Sequence, residues 1–443
     1  MHSSTSALRP PKAVRRIAER LERAGHETWC VGGAVRDALL GIPHLDWDLA
    51  TAATPPEVRR LFPRTVPVGL AFGTIGVLDD AGVLHEVTTF RRDVRTDGRH
   101  AEVEFGVSLD DDLARRDFTI NAIAWSSTRN ELRDPFGGRD DLRAGIVRAV
   151  GEPTARMRED RLRALRAIRF AARFGFAIEP RTWDAVAASA PHLGRLSAER
   201  VKQELDKTME QVARPSVALE LWRRSGALAA LVPALATLDP VAFAAVDCIP
   251  LPRGGPLAER RRRLRLAVLF SAVPAREVHR TLKALRFSNA DARLVGGLAE
   301  QWARLAPALE VALERGAMSD ADVRRWVSAA GRVGSADLLR VAAAHWAARR
   351  EAGLAAPAPS AVRSFYRRAL RAAYHEPVDL GSLAVSGDDL RAAGIAPGPR
   401  MARILQGLLD WVLEDPARNS VAELLPRARE LDAELPSTDT HQR

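Results

Sequence analysis

The feature that most restricts this chain's fold is a change of periodicity near Gly151. Before it, short strand-like runs alternate with short helical ones; after it, Leu/Ala/Arg-rich stretches repeat apolar positions at helical spacing to the end. This pattern predicts an α+β protein, a mixed-sheet head followed by all-α parts. A length of 443 residues leaves room for several cores. The divisions expected are a head at 1–150, a helical neck at 151–215, a helical body at 216–355 and a helical tail at 356–443, with the closing stretch from residue 435 expected to be disordered. Helix-breaking residues at 251–259 and 352–361 mark the linkers. Val14, Ile17 and Leu21 predict an amphipathic helix, "TWCV" a strand, and "GTIGVL" and "VLHEVTTF" around "DDAG" a hairpin.

Charge and cysteine content narrow the partners and the compartment. Lys plus Arg number 66 against 56 Asp plus Glu, and the resulting +10 favours a polyanion such as RNA or DNA. Two cysteines are too few for a disulfide framework, the first residues lack the apolar core of a secretory signal, and no apolar run is long enough to span a bilayer. A cytoplasmic protein with no membrane association is expected, and its oligomeric state is left open.

The chemistry concentrates in "GGAVRDALLGIPHLDWDLAT". In an extended segment residues i and i+2 share a face, so Asp46 and Asp48 present carboxylates together while Trp47 points away. Two adjacent anions call for a cation, and Mg²⁺ is typically held by one or two carboxylates plus phosphate oxygens. Glu86, in the second hairpin strand, is placed to add a third carboxylate, which predicts a two-metal site for displacement at phosphorus. Gly32 and Gly33 let backbone approach a phosphate at the opening of a helix. On spacing alone, "DWD" serves equally well as a solvated strand face, and "GG" as a tight turn.

The stretch resembles the first motif of the class II tRNA nucleotidyltransferases, the family of CCA-adding enzymes and bacterial poly(A) polymerases. Similar motifs continue in order: "HEVTTFRRD", "DLARRDFTINAIAW", "DPFGGRDDL", "EDRLRALRAIRFAARFGF" and "SAERVKQEL". The resemblance implies that Asp46 and Asp48 bind the metals, that Glu86 activates or orients the RNA 3′-hydroxyl, and that Gly32, Gly33, Arg36 and Asp37 shape a triphosphate pocket. It also implies that Arg116 reaches phosphates, that Asp117 and Asn121 contact the ribose, and that Arg166 and Arg169 join the nucleotide-binding set. Without it, Arg115, Arg116 and Asp117 read as a surface ion-pair cluster.

A continuous helix is expected over residues 155–174, with Leu162, Leu165 and Ile168 buried and Glu159, Asp160 and Arg163 facing one way. By position these three match the family's base-reading residues; by spacing alone they form a solvated salt-bridge face. A carboxylate accepts from an exocyclic amine while a guanidinium donates to the neighbouring ring acceptor, an edge that cytosine and adenine share and uracil and guanine lack. The resemblance thus implies a tRNA-directed enzyme using CTP and ATP, with CCA addition favoured. The alternatives are an A-adding enzyme beside a CC-adding partner, a poly(A) polymerase, and a silent RNA-binding scaffold. "VPVGLAFGTIGV" departs from the basic stretch usual in poly(A) polymerases, and "RTDGRHA" lacks the aromatic and proline common in relatives. Residues 264–273 hold neither His nor Asp, so no phosphohydrolase motif is expected there. For RNA contact, Arg260 to Arg263 read as a solvated helix face or a phosphate patch, while Arg400 and Arg403, after the turn at Gly394, Pro397 and Gly398, are the preferred candidates, a turn that serves equally well as an ordinary helix–helix connection.

Overall fold

The computed structural model of the chain describes residues 8–43, 46–96, 101–250, 256–316 and 318–435. Two compact units divide it, Met1–Thr237 and Leu238–Arg443. The four-part division expected above is finer than this one. The loop tip within "RTDGRHA" and residues 436–443 lie outside the described residues.

The first unit is built on β1 (Thr28–Val31), β2 (Asp48–Thr51), β3 (Thr65–Gly69), β4 (Thr74–Leu78), β5 (Leu84–Thr89), β6 (Arg91–Thr96), β7 (Ala101–Phe105), β8 (Ala124–Ser126) and β9 (Glu131–Arg133). Seven of these form one mixed sheet in the order β3-β4-β5-β2-β1-β8-β9, and β6 pairs with β7 as a separate hairpin. The expected α+β head is therefore present, and β3 adds an edge strand. Helices α1 (Lys12–Arg23) and α3 (Pro55–Leu61) pack on the sheet, α1 burying Val14, Ile17 and Leu21 as its periodicity requires. Their side of the sheet receives Leu49, Ile75, Val77 and Val87, all buried.

Between them, α2 (Gly33–Leu39) follows β1 directly. Gly32 takes φ +73°, a conformation that a side chain resists, and this turns the chain from strand into helix. After α4 (Leu109–Ala114) and α5 (Gly138–Ala144), the chain becomes helical with α6 (Pro153–Glu159), α7 (Leu162–Phe174), α8 (Pro180–Ser189) and α9 (Ala198–Gln211). One exception breaks the expected all-α run: residues 177–178 add a short parallel strand to residues 146–147.

The helix expected over 155–174 is two helices. Asp160 adopts extended backbone, φ −144° and ψ 105°, ending α6. Its carboxylate then accepts from the Leu162 amide at 3.0 Å, serving as a cap for α7. Aspartate competes with the helix by this local bond, and here it wins. Leu162, Leu165 and Ile168 remain buried as expected.

The second unit is helical throughout its described residues. The run from Arg260 to Arg263 is tied into the unit by distant carboxylates: Arg262 is buried, Arg263 pairs with Asp291 at 2.6 Å, and exposed Arg260 pairs with Asp337 at 2.7 Å. Fully buried Arg265 donates to the Ile249 carbonyl at 3.0 Å, and burial brings its pKa down to about 10. Toward the end, Val385, Leu390, Ile404 and Leu408 gather with Leu424 into a small core of their own. No described helix is long and apolar enough to cross a membrane.

His345 lies 2.6 Å from the Ser271 hydroxyl and is stacked on Trp302 with centroids 5.3 Å apart. Burial lowers its pKa to about 4. The unfolded chain therefore binds a proton that the fold refuses as pH falls from about 6.5 to about 4. Stability is expected to be full above that window and to fall within it by up to about 1.4 kcal/mol per pH unit. Urea titrations of the whole chain between pH 7 and 4 measure this, and His345→Gln should flatten the slope.

Candidate functional site

Strand pairing decides where the site lies. Val31 at the end of β1 faces Asp48 on one neighbour and Ala124 on the other. The Gly32–Gly33 turn, Asp48 and the Asn121 turn therefore meet at one end of the sheet. β2 runs parallel to β5 with Leu49 beside Val87, so one step back along the same register sets Asp48 beside Glu86 on the same face. Asp46 is exposed, Trp47 buried and Asp48 half-buried, the alternation of an extended segment, although the ladder itself begins only at Asp48. The charge of Asp48 also reaches Cys30, whose thiol is pushed up to about 12, first by burial and then by that carboxylate.

A cavity of about 480 Å³ opens at this end. Its wall includes Gly32, Gly33 and Asp48 from the head and Asp160, Arg163, Arg166 and Arg169 from α6 and α7. Eight Arg and Lys side chains line it against three Asp, so the space is strongly electropositive. Arg36, Arg116, Asp117 and Asn121 belong to the same wall. Of the expected set, Asp37 and Glu159 stand behind the wall, and Asp46 and Glu86 are not among its lining residues.

The residues behind hold those in front. Asp37, fully buried, accepts from Arg36 Nε at 2.7 Å and from Arg173 at 3.0 Å. Burial lowers the Arg36 pKa, partly offset by Asp37. Glu159 accepts from Arg163 at 2.7 Å, while the Arg163 guanidinium also donates to the carbonyl of Arg115 at 2.9 Å and to that of Arg156 at 3.2 Å. Asp160 takes Arg200 at 2.7 Å. Burial alone would raise the Asp117 pKa, but Arg166 at 2.7 Å and the Asn121 amide at 2.9 Å outweigh it and hold the group at about 2. Asp112 is buried and pairs with both Arg115 and Arg116, so those two are tethered wall residues rather than a surface cluster. A Cβ at Gly32 would come within 3.0 Å of the Arg116 guanidinium, which explains the glycine a second time.

Several wall residues were not anticipated from the sequence: Arg115, Phe170, Arg173, Lys207 and Gln211. Arg163, Arg166, Phe170 and Arg173 recur at spacings of three and four, so one stripe of α7 signals them. Lys207 and Gln211 arrive from α9 by packing. The Phe170 ring carries Arg169 at 4.5 Å, Arg36 at 5.0 Å and Arg166 at 5.3 Å from its centroid. In the second unit, Arg400 pairs with Asp432 at 2.5 Å and donates to the Leu435 carbonyl at 3.0 Å, tying two helices together as the helix–helix reading of its turn allows. The last helix supplies these partners from 32 and 35 residues away, beyond the reach of local pattern. Arg403, beside it in sequence, is exposed.

With this geometry in hand, similarity to known proteins is informative. A family model described as the poly A polymerase head domain matches residues 28–148, and one described as a probable RNA and SrmB-binding site of polymerase A matches residues 175–238. The CCA-adding enzyme of Limosilactobacillus fermentum is 33% identical over 437 residues, covering 94% of this chain and 96% of the relative. That of Anoxybacillus flavithermus is 46% identical over 195 residues, 44% of this chain and 49% of the relative. Matches of this second kind span about half the length of the relatives concerned. The crystal structure of the Bacillus stearothermophilus CCA-adding enzyme in complex with CTP superposes with a TM-score of 0.74 at 31% identity, over 96% of this chain and 99% of that one.

The buried pair Arg169–Glu204, 2.7 Å apart, supports the cavity from α7 and α9. Glu204→Leu should destabilise the chain by about 3–5 kcal/mol, because it strands a buried guanidinium. Adding Arg169→Met should recover most of the loss in a denaturant titration.

Proposed function

Because the chain belongs to the family of the CCA-adding enzymes and bacterial poly(A) polymerases, we propose that it adds CCA to the 3′ ends of tRNA from CTP and ATP, releasing pyrophosphate. The observation that carries this reading is that the glycine turn, Asp48, the basic wall and the Asp160–Arg163 pair line one cavity. The head, residues 1–150, supplies the phosphate chemistry, and the neck, residues 151–215, supplies the choice of base. The body, residues 216–355, is helical, and the tail, residues 356–443, contacts the tRNA, with Arg403 as its most exposed candidate for a phosphate contact.

The carboxylates suit a divalent metal. Asp46 and Asp48 are hard oxygen donors two residues apart in an extended segment. This fits Mg²⁺, which completes its shell with phosphate oxygens and water. When bound at Asp46 and Asp48, two Mg²⁺ ions would neutralise the triphosphate and activate the attacking oxygen.

The remaining steps belong to the chain's own residues. Arg36 and Arg116 bind the triphosphate where Gly32 and Gly33 leave room, and Asp117 and Asn121 orient the ribose. Glu86 takes the proton from the RNA 3′-hydroxyl as its oxygen forms a bond to the α-phosphorus; the bond from that phosphorus to the bridging oxygen breaks, and pyrophosphate leaves. Asp160 accepts from the exocyclic amine of cytosine or adenine, and Arg163, held by Glu159, donates to the adjacent ring acceptor. Uracil and guanine would set a carbonyl against Asp160, a loss of about 1–3 kcal/mol.

Asp48→Ala should retain its melting temperature and lose all extension of a tRNA transcript lacking CCA, read on a sequencing gel with CTP plus ATP. The parent should add three nucleotides; addition of A only to a CC end would instead identify an A-adding enzyme, and a long tail a poly(A) polymerase. Arg163→Ala should lower the preference for CTP and ATP over UTP and GTP by about 10- to 100-fold in kcat/KM; an unchanged preference would remove Arg163 from base selection.

A further inference from the structure

Beside the carboxylates, the half of the sheet formed by β3, β4 and β5 keeps apolar side chains in solvent. Val66 and Val68 of β3 are 39% and 45% exposed, and Leu84 of β5 is 39% exposed. Gly76 of β4 lies between, opposite Val66 on one side and Glu86 on the other. A Cβ at Gly76 would meet Leu84 Cδ1 at 2.5 Å and Val68 Cγ2 at 2.9 Å, so these two side chains close over the glycine into one aliphatic ridge. Contiguous exposed apolar surface on a sheet marks an interaction site more often than an accident. Pro67 in the middle of the edge strand β3 has no amide to donate, which works against pairing with another strand there.

We propose that this ridge seats the single-stranded 3′ end of the RNA, with its last bases and riboses against Val66, Val68 and Leu84 and its terminal hydroxyl at Glu86. The assignment rests on the function proposed above. Two observations favour RNA as the occupant. The ridge is continuous with the reaction site, because Gly76 pairs with Glu86 and Glu86 is one register step from Asp48. Its chemistry also suits a primer whose sequence changes with every addition: aliphatic side chains offer no donor or acceptor to a base edge, so they hold different ends alike. Selection then stays with the charged groups of the nucleotide cavity, and the ridge only positions.

The test uses Val68→Asp and Leu84→Asp in the full chain, with Val333→Asp, at a 90% exposed position in the other unit, as control. Each is checked by thermal melting, by CTP titration, by KM and kcat for tRNA ending before CCA, in C and in CC, and by fluorescence anisotropy with labelled tRNA. The KM for tRNA should rise about tenfold for all three ends, with CTP affinity unchanged and the control equal to the parent. Folded ridge variants whose tRNA KM stays within about twofold of the parent would overturn the proposal. So would a rise confined to one end, or a parent dimer, seen by light scattering, that the ridge variants dissociate without a change in tRNA KM. If the parent extends no RNA, the function falls first, and unchanged anisotropy in both ridge variants would then dismiss the ridge separately.

Discussion

Like charges gathered around one cavity repel, and much of the first unit is arranged to hold them there. Asp37 takes Arg36 and Arg173, Asp112 takes Arg115 and Arg116, Asp117 takes Arg166, and Glu204 takes Arg169. Phe170 adds its ring face beneath three guanidinium groups. A guanidinium has five N–H donors, so a single carboxylate fixes its direction without exhausting it. The wall is thereby rigid and still electropositive, a preorganised field for a polyanion that need not reorganise when one arrives.

The sheet distributes the work between its two faces. Leu49, Ile75, Val77 and Val87 secure it to its helices, while the opposite face presents Asp48 and Glu86 in adjacent register. Strand alternation makes this division almost automatic, because every second residue changes side. Asp160 at the end of α6 and residues of α7 and α9 then complete the cavity wall. The break at Asp160 matters for this reason: it leaves Arg163 anchored in α7, reaching back to Glu159 and to the carbonyl of Arg115.

Much of the site could be read in the chain because its key residues lie close in sequence. The Gly32–Gly33 turn, the Asp46–Trp47–Asp48 alternation and the Glu159–Arg163 pair are local arrangements that propensity and spacing describe. Other features escaped because their partners are distant. The pairing of Arg400 with Asp432 depends on the final helix, and the pairings of Arg260, Arg262 and Arg263 depend on Asp337 and Asp291 from other helices. The helix break at Asp160 is hidden for a different reason, since a side-chain cap and a continuing helix compete locally and differ by about 1 kcal/mol.

The amino-acid sequence by itself determined the α+β head with its helical continuation, the carboxylate pair and the family to which the chain belongs, because periodicity and short motifs act over a few residues. Tertiary structure alone decided that Val31 joins Asp48 to the Asn121 turn, that Lys207 and Gln211 complete the wall, and that Val66, Val68 and Leu84 remain exposed beside Glu86. Those outcomes depend on which strands and helices become neighbours, and burial, charge pairing and ladder register are properties of neighbours rather than of the residues themselves.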